Sequence, residues 1–537
     1  MPGRFSLTVL ATLISTCSFA TSYSPPEALV APSAFKGVHG LAVDQQGRLL
    51  AGSVVGNSIY QVDIETGQVS TFIGPDQGQA DDIAIGPRGE MAWTGFYSGQ
   101  VLYRETDQAP IRVLADGLPG INSIAFNQDT GALYASQVFL GDALWEIDIN
   151  AQQPPRLIGK DLGGFNGFEV GQDGWLYGPL WFKGQVVRID PASGNHETVA
   201  DGFGTPAAVN FDSKGNLYVV DTLTGQLLRI TAENRQVEQV AQLASSLDNL
   251  AIDQQDRIFV SNMADNSIQQ INPLTGESRV ITRGDLAVPA GLTLSEDAKT
   301  LYISDIFTFR AVNTETGQVR DIRRAHGSDV EYPTAVGLGQ KQLLLTSFAT
   351  GTLQILDRSD YSTQAMIHGL NAPSAAVELE PGRVVVSEMG AGTLVILSGE
   401  QWQERQPLAQ GLQGPVQMIR GQDGMLYLTE AAGFLTQVDP GNGQITRLAQ
   451  DLLMPEGLAQ QADGQFIIAE TAAQRLTLVN PENGERRVLA ENLPIGFPAG
   501  PGMPPSGIPT GVAVDNNGVI YFGSDIDNGL YRIKPEH

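Results

Sequence analysis

Five polar side chains recur at equivalent positions in the first half of this chain, where together they could bind a metal ion. They are His39, Asp81, Asn122, Asn166 and Asp248. Each lies two residues before an apolar marker of a sequence repeat, and Asp82 and Asn249 directly follow two of them. Carboxylate and amide oxygens that converge on one axis suit Ca²⁺, which takes about six to eight oxygen ligands in a flexible shell. The simpler alternative is that Asp and Asn cap the turns before strands.

A metal ion at this position would polarise an ester or lactone carbonyl and lower the pKa of a bound water. A base must then lie within hydrogen-bond reach of that water. His39 is the histidine best placed for this role, with Asp81 or Asp82 as the alternative base, although a lone histidine is often structural. The other histidines fall in outer strands, loops or the terminus, at His196, His326, His368 and His537.

Apolar side chains occupy predicted turns on the same side of the repeat and could form a wall beside the metal. They are Phe96, Tyr97, Phe139, Leu140, Trp181 and Phe182. Such a wall would suit a hydrophobic or aromatic ester or lactone. The alternative is that several of them pack between neighbouring repeats.

The elements that must position these residues form a repeat of about 42 residues. Its apolar markers are Leu41, Ile83, Ile124, Phe168, Val209, Leu250, Leu292, Val336, Ala376, Met418, Leu458 and Val512. Each unit shows four short apolar strands separated by turns, without a helical pattern, which is typical of a β-propeller blade. We number these units blade 1 to blade 12.

The chain is therefore predicted to be all-β, with tandem β-propellers in which blades 1–6 form ring one and blades 7–12 form ring two. The predicted boundaries are residues 25–275 and 276–537. A single ring of twelve blades fits the same count but exceeds the usual range of about four to eight. The last unit stops after its third strand, near Leu530 to Lys534. We expect each ring to borrow an outer strand from ahead of its first blade, namely Ala28 to Ala34 for ring one and Ser278 to Thr282 for ring two.

Ring two differs at the positions that are polar in ring one. They are Ala290, Thr334, Ser374, Val416, Glu456 and Thr510, and a proline precedes each one. Glu388, Glu430 and Glu470 end successive second strands and indicate either a second cation site or solvated side chains. A Pro/Gly-rich insert, Leu493 to Ile508, is either a lid over ring two or a surface elaboration.

Residues 1–20 resemble a secretory signal peptide, with Arg4, an apolar stretch from Phe5 to Ile14 and a small-x-small cleavage site ending at Ala20. The single cysteine, Cys17, lies inside this segment, so the mature chain would have no disulfide. Thr16 disfavours a lipid anchor on Cys17. We expect a periplasmic or secreted protein without membrane insertion. The formal net charge of −27 disfavours nucleic acid as a partner.

Short segments around the polar positions resemble the calcium-site segments of six-bladed lactonases and esterases. These are the gluconolactonase/senescence-marker-protein/luciferin-regenerating-enzyme family and the paraoxonases. The segments are Ala80–Ile83, Ile121–Ile124, Phe165–Phe168 and Leu247–Asp253. The resemblance implies a catalytic Ca²⁺, or another divalent cation, and a ligand set of Asp81, Asn122, Asn166, Asp248 and Asn249. Two departures are an Asp where the family has Glu, and the position of Asp248 two blades after Asn166. Ring two resembles NHL-type or virginiamycin-lyase-like repeats.

The sequence therefore predicts an exported Ca²⁺-dependent hydrolase that acts on a small lactone or ester. An alternative is a non-catalytic propeller that serves as a scaffold or binding protein, with a protein partner on ring two, since a fold does not imply catalysis. A metal-assisted lyase is a third hypothesis. No Gly-x-Ser-x-Gly elbow or phosphate-binding loop supports serine-triad or nucleotide chemistry.

Overall fold

A computed structural model describes residues 22–75, 77–500 and 508–536. The predicted signal peptide, residues 1–20, lies outside the described residues. Apart from one short 3-10 helix, Thr471–Ala473, the regular elements in these ranges are β-strands. They form twelve four-stranded antiparallel sheets, which confirms the prediction of tandem β-propellers. In these ranges no helix has the length and apolarity needed to cross a bilayer.

Each blade of ring one runs from an inner strand at the channel to an outer strand at the rim. In that order the strands are Leu41–Val43, Leu49–Ser53, Ser58–Val62 and Val69–Ile73 in blade 1; Ala80–Ile85, Met91–Gly95, Gln100–Arg104 and Arg112–Ala115 in blade 2; Ile121–Phe126, Leu133–Gln137, Ala143–Ile147 and Arg156–Lys160 in blade 3; Glu169–Val170, Leu176–Leu180, Gln185–Ile189 and His196–Asp201 in blade 4; Pro206–Phe211, Leu217–Asp221, Gln226–Ile230 and Val237–Gln242 in blade 5; and Leu247–Ile252, Ile258–Asn262, Ser267–Ile271 and Ser278–Thr282 in blade 6.

Ring two repeats this arrangement. Its strands are Leu292–Leu294, Thr300–Ser304, Thr308–Asn313 and Val319–Arg324 in blade 7; Ala335–Leu338, Gln342–Ser347, Thr352–Asp357 and Thr363–Ile367 in blade 8; Pro373–Glu380, Arg383–Glu388, Thr393–Ser398 and Glu404–Gln410 in blade 9; Pro415–Arg420, Leu426–Glu430, Phe434–Val438 and Ile445–Ala449 in blade 10; Pro455–Gln460, Phe466–Glu470, Arg475–Val479 and Arg486–Ala490 in blade 11; and Val512–Val514, Ile520–Gly523, Leu530–Ile533 and Glu27–Val30 in blade 12. A two-stranded ribbon pairs Ser22–Tyr23 with Pro535–Glu536.

The second strand of each blade is buried on both faces, because neighbouring blades cover it. In Leu49–Ser53 and Ile258–Asn262 every residue is buried. The near-continuous apolar composition of these strands follows from this double burial. The inner strands of blades 6 and 1 pack against each other, as do those of blades 12 and 7. Each set of six blades is therefore a closed ring, and a single ring of twelve blades does not form.

The closing strand is not the one that the sequence predicts. Glu27–Val30 pairs with Leu530–Ile533 and completes blade 12 of ring two. Ser278–Thr282 pairs with Ser267–Ile271 and stays in blade 6, so the predicted boundary at residues 275 and 276 falls ahead of a ring-one strand. Ring one has four strands of its own in every blade and needs no borrowed strand. Without the N-terminal segment, blade 12 would have three strands, and Glu27–Val30 satisfies the backbone groups at the edge of Leu530–Ile533.

The two rings pack against each other through a mixed polar and apolar junction. Val55 and Met263 of ring one share an apolar cluster with Phe307 of ring two. Asn266 donates hydrogen bonds to the carbonyl oxygens of Leu286 and Ala287, at 3.2 and 3.0 Å. These contacts hold the segment that connects the two rings, residues 283–291, in place.

The Pro/Gly-rich insert, Leu493 to Ile508, packs at this junction between the rings. Neither of the two predictions for the insert, a lid over ring two or a surface elaboration, included this contact. The backbone N–H groups of Gly496 and Phe497 donate to Asp525, at 2.8 and 2.7 Å. Phe497 and Ile508 join the apolar cluster that contains Val55 of ring one. Residues 501–507 of the insert lie outside the described residues.

The glutamates at the ends of second strands in ring two brace the turns before the inner strands. Glu470 and Glu430 are fully buried, so the expectation of solvated side chains is wrong for both. Glu470 accepts the N–H of Leu453 at 2.8 Å, and Glu388 accepts that of Asn371 at 2.9 Å. Because a buried carboxylate needs such partners, these side chains have a structural role that their strand position alone does not reveal.

Candidate functional site

A histidine lies between two carboxylates at the mouth of the ring-one channel, where the inner strands begin. His39 Nδ1 is 3.4 Å from Asp81 Oδ1 and 3.3 Å from Asp248 Oδ2. The other ring nitrogen, His39 Nε2, is buried and has no hydrogen-bond partner among the described residues. Three predicted site residues from blades 1, 2 and 6 thus meet at one point.

The backbone fixes His39 from three neighbouring blades. Its N–H donates to the carbonyl oxygen of Gly52 at 2.9 Å, and Ser261 Oγ donates to the His39 carbonyl oxygen at 2.7 Å. The next residue, Gly40, donates to the carbonyl oxygen of Asp81 at 2.7 Å. A Cβ on Gly40 would lie 2.4 Å from that oxygen, so only glycine permits this close approach of blades 1 and 2.

The two predicted asparagine ligands lie on the other side of the mouth and are linked by one hydroxyl. Ser123 Oγ is 2.9 Å from Asn122 Oδ1 and 2.8 Å from Asn166 Oδ1. The Asn122 amide also donates to Asp81 Oδ2. Asp81, Asn122 and Asn166 therefore form a continuous polar arc across blades 2, 3 and 4.

Asp82 and Asn249 point into a different network, although they neighbour the site in sequence. Asp82 accepts the N–H of Ile83 at 2.9 Å and that of Ile124 at 3.2 Å. Asn249 Nδ2 donates to Asp82 at 3.1 Å, and Asn249 Oδ1 accepts the N–H of Leu250 at 2.7 Å. Both side chains brace blades 2, 3 and 6. A backbone N–H holds Asn249 Oδ1, whereas a rotatable hydroxyl meets Asn122 Oδ1 and Asn166 Oδ1, so we leave Asn249 out of the proposed ligand set.

Burial and mutual charge shift the pKa values of this cluster. Burial alone would lower the pKa of His39, but the carboxylates of Asp248 and Asp81 outweigh it and raise this pKa. Burial raises the pKa of Asp81, although His39 opposes the shift. Burial also raises the pKa of Asp82 to about 7, against its backbone hydrogen bonds. Burial and charge therefore favour the protonated forms of both His39 and Asp81 relative to the free side chains.

The polar cluster lies at one side of a cavity of about 340 Å³. Phe96, Tyr97, Phe139 and Trp181 line this cavity, in agreement with the predicted apolar wall. Phe182 does not line it: the side chain is 60% exposed and packs edge-on against Phe139, with ring centroids 5.9 Å apart. The cavity size and the few convergent polar groups fit a small-molecule site.

Ring two supplies part of the cavity wall, which sequence reasoning missed. Phe307, His326 and Tyr332 all line the cavity. His326 and Tyr332 belong to the connection between blades 7 and 8, residues 325–334, which is longer than most connections between blades. This length was the only signal in the sequence, because no repeat position marks these residues as facing ring one.

The donor set fits a divalent cation. Within the described ranges, ligand atoms of His39, Asp81 and Asp248 all lie within 4.8 Å of one another. The two carboxylates suit a hard cation such as Ca²⁺, and the amides of Asn122 and Asn166, which line the same cavity, are of a type that can add oxygen ligands. The ring nitrogen of His39 in the same cluster extends the candidates to ions that accept imidazole, such as Zn²⁺ or iron.

Comparison with known families agrees with the resemblance of the short segments. Residues 164–306 match the model of the SMP-30/gluconolactonase/LRE-like region. This match spans blades 4 to 6, the connection into ring two and the first two strands of blade 7, and it includes Asn166, Asp248 and Asn249. His39, Asp81 and Asn122 lie outside the matched residues. The family resemblance is thus confirmed for that segment.

Two solved structures are similar over most of the chain at low sequence identity. They are the extracellular domains of a hybrid two-component system and of a one-component system, both from B. thetaiotaomicron. Each is 12% identical and aligns with 96% of this chain, covering 83% and 77% of those chains, with TM-scores of 0.32 and 0.33. A search of curated protein sequences finds no significant match.

Proposed function

We propose that this protein is an exported, metal-dependent hydrolase of small lactones or esters, with its active site at the mouth of ring one. The observation that carries this proposal is the position of His39 between Asp81 and Asp248, at one side of a largely apolar cavity. The family match over residues 164–306 supports it, because that family description includes gluconolactonase.

Asp81 and Asp248, with the amide oxygens of Asn122 and Asn166, would hold the cation. When bound, a divalent cation polarises the substrate carbonyl and lowers the pKa of water. The protein then has to orient the substrate, exclude bulk water and accept a proton. The apolar wall and the burial of the cluster meet the first two needs.

His39 is the proposed proton acceptor. Its ring faces both carboxylates, which stabilise the imidazolium once it has formed. The backbone bonds of His39 to blades 1 and 6, and that of Gly40 to blade 2, hold the backbone that carries this ring. Asp81 remains the alternative base, because its carboxylate lies beside His39 at the same point of the channel mouth.

Melting temperature with EDTA and then with Ca²⁺, Mn²⁺ or Zn²⁺ tests the cation site, since a ligand of the native state raises stability. The variant is Asn166→Ala/Asp248→Ala. Its matched control is Asn442→Ala/Asp463→Ala, which removes the same side-chain types from exposed turns of ring two. We expect a cation-dependent rise in the wild type and the control but not in the variant. Equal melting temperatures under all conditions would contradict the cation site.

Hydrolysis of benzyl acetate and γ-butyrolactone, followed by proton release, tests the reaction. We expect turnover that EDTA abolishes and the cation restores. An unsaturated product would indicate elimination and favour the lyase hypothesis. Cation binding without turnover of any ester or lactone would favour a binding protein.

A further inference from the structure

Aromatic rings from both propellers form a continuous band around the cavity. Neighbouring ring centroids are 5.0–6.4 Å apart. The order is Phe96, Phe139, Trp181, His326, Tyr332, Phe307 and His39, and we call these residues the aromatic band. The first three members belong to blades 2, 3 and 4 of ring one, the next three to ring two, and the last returns to the carboxylates of ring one.

The ring-two part of the band is firmly docked on ring one. Arg324 Nη1 lies 2.9 Å from Asp265 Oδ1, and Arg324 Nη2 donates to the Ser245 carbonyl oxygen at 3.0 Å. Ser246 Oγ donates to the carbonyl oxygen of Ala325 at 2.6 Å, directly before His326. These contacts join the connection between blades 7 and 8 to the loops of blades 5 and 6. Contacts with ring one therefore position the part of the cavity wall that His326 and Tyr332 form.

Two residues of the same connection have a left-handed backbone. His326 and Tyr332 have φ angles of +60° and +45°. This backbone brings the two side chains together, with His326 Nε2 2.5 Å from the Tyr332 hydroxyl.

We propose that the aromatic band is one substrate-binding wall shared by both rings, and that it selects neutral esters or lactones that carry an aromatic group. This inference rests on the proposed function and adds the substrate class and two contact residues, His326 and Tyr332. Edge-to-face packing is the geometry in which aromatic rings attract each other, so an aromatic ligand gains contacts that an aliphatic one does not. The largely apolar lining of the cavity disfavours a charged group on the substrate.

A cavity of about 340 Å³ limits the size of that substrate. It lies at the small end of ligand pockets, which span about 300–1,000 Å³. One aromatic ring with a short ester or lactone fits this space. A polycyclic substrate larger than this cavity could bind only if the two propellers moved apart.

Matched ketones test the wall without turnover. Benzylacetone copies the shape of benzyl acetate, and 2-pentanone copies that of ethyl acetate, but neither can be hydrolysed. We would measure the binding of both ketones by calorimetry to the full mature chain and to Tyr332→Leu, Tyr332→Phe and His326→Gln. Tyr427→Phe, which removes a hydroxyl in blade 10, is the remote control. Circular dichroism and melting temperature would establish that each variant folds.

We expect the wild type to bind benzylacetone more tightly than 2-pentanone. Tyr332→Leu and His326→Gln should each weaken benzylacetone binding by about three- to tenfold, the usual contribution of an aromatic pair. Tyr332→Phe and Tyr427→Phe should keep the preference. Equal affinity of the wild type for the two ketones, or wild-type affinity for benzylacetone in both Tyr332→Leu and His326→Gln, would overturn the shared wall. If Tyr332→Leu does not fold, His326→Gln still decides the question.

Turnover of benzyl acetate and ethyl acetate separates this inference from the proposed function. Their alkoxide leaving groups have similar basicity, so a preference between them reports the wall rather than chemical reactivity. Hydrolysis without an aromatic preference would sustain the hydrolase and reject the wall. Aromatic ketone binding that the variants lose, without hydrolysis of either ester, would sustain the wall and reject the hydrolase.

Discussion

The two rings have the same blade architecture but use the channel-mouth position differently. In ring one the side chains there face one another, so that His39 meets Asp81 and Asp248. In ring two they bond to backbone: Ser374 Oγ donates to the carbonyl oxygen of Pro415 at 2.7 Å, and Glu456 accepts the N–H of Thr510 at 2.7 Å. A polar residue at this position becomes a candidate site only when the neighbouring backbone leaves its side chain free.

The largest expected difference between the rings is the effect of a channel-mouth substitution on kcat/KM, and it should be seen at His39. We expect His39→Gln to lower kcat/KM for benzyl acetate by about 100- to 10,000-fold, the usual contribution of a general base. Ser374→Ala, at the equivalent position of ring two, should leave this value unchanged. A pH–rate profile of both variants would check the result. Full activity of His39→Gln would remove His39 as the base and transfer that role to Asp81.

Loss of one carboxylate should weaken cation binding selectively. Asp248→Asn keeps the size of the side chain but removes its charge. Even outer partners of metal ligands change affinity by about 10- to 100-fold, so we expect at least that loss for Ca²⁺. Titration of Ca²⁺ into EDTA-treated protein gives the measurement, with Ser374→Ala again as the ring-two control. Unchanged affinity in Asp248→Asn would exclude this carboxylate as a ligand.

The buried glutamates of ring two should affect stability without affecting the site. Glu470→Gln weakens the bonds to Leu453 and Arg475, so we expect the free energy of unfolding to fall by about 1–3 kcal/mol. Urea denaturation measures this change, and the exposed Glu482→Gln is the matched control. A change in cation affinity of ring one would instead show that the rings are energetically coupled.

A smaller pH effect should come from Glu169 in the inner strand of blade 4. Burial raises the pKa of this carboxyl to about 7, from an ordinary value of 4.5. The folded state then binds more protons than the unfolded state, so the free energy of unfolding should fall as the pH rises from 4.5 to 7. Glu169→Gln should flatten this slope in urea denaturation series. Asp82, whose pKa burial also raises to about 7, should account for part of the slope that remains, and a variant with the full slope of the wild type would show that Glu169 does not contribute.

Local periodicity explains what the sequence could predict. The apolar residues of each strand indicate that the strand is buried, so the blades and the two rings can be predicted from the repeat. The convergence of His39, Asp81 and Asp248 follows from their equivalent positions in that repeat. Two features depend instead on contacts between distant segments. They are the strand that closes ring two and the part of the cavity wall that His326 and Tyr332 form. Glu27 is paired with Arg532, and no local pattern specifies which open edge a distant strand will join.

The strand that completes blade 12 comes from a segment very distant in the sequence. Glu27–Val30 pairs with Leu530–Ile533, and the paired residues Glu27 and Arg532 are 505 positions apart. Blade 12 therefore cannot close until Leu530–Ile533 has left the ribosome, and such long-range pairing is intrinsically slow. Ring one can form earlier, because all of its strands lie within one contiguous stretch. Since Ser22–Tyr23 also pairs with Pro535–Glu536, a short peptide linker that joins residue 536 to residue 22 should stabilise blade 12 by lowering the entropy of the unfolded chain.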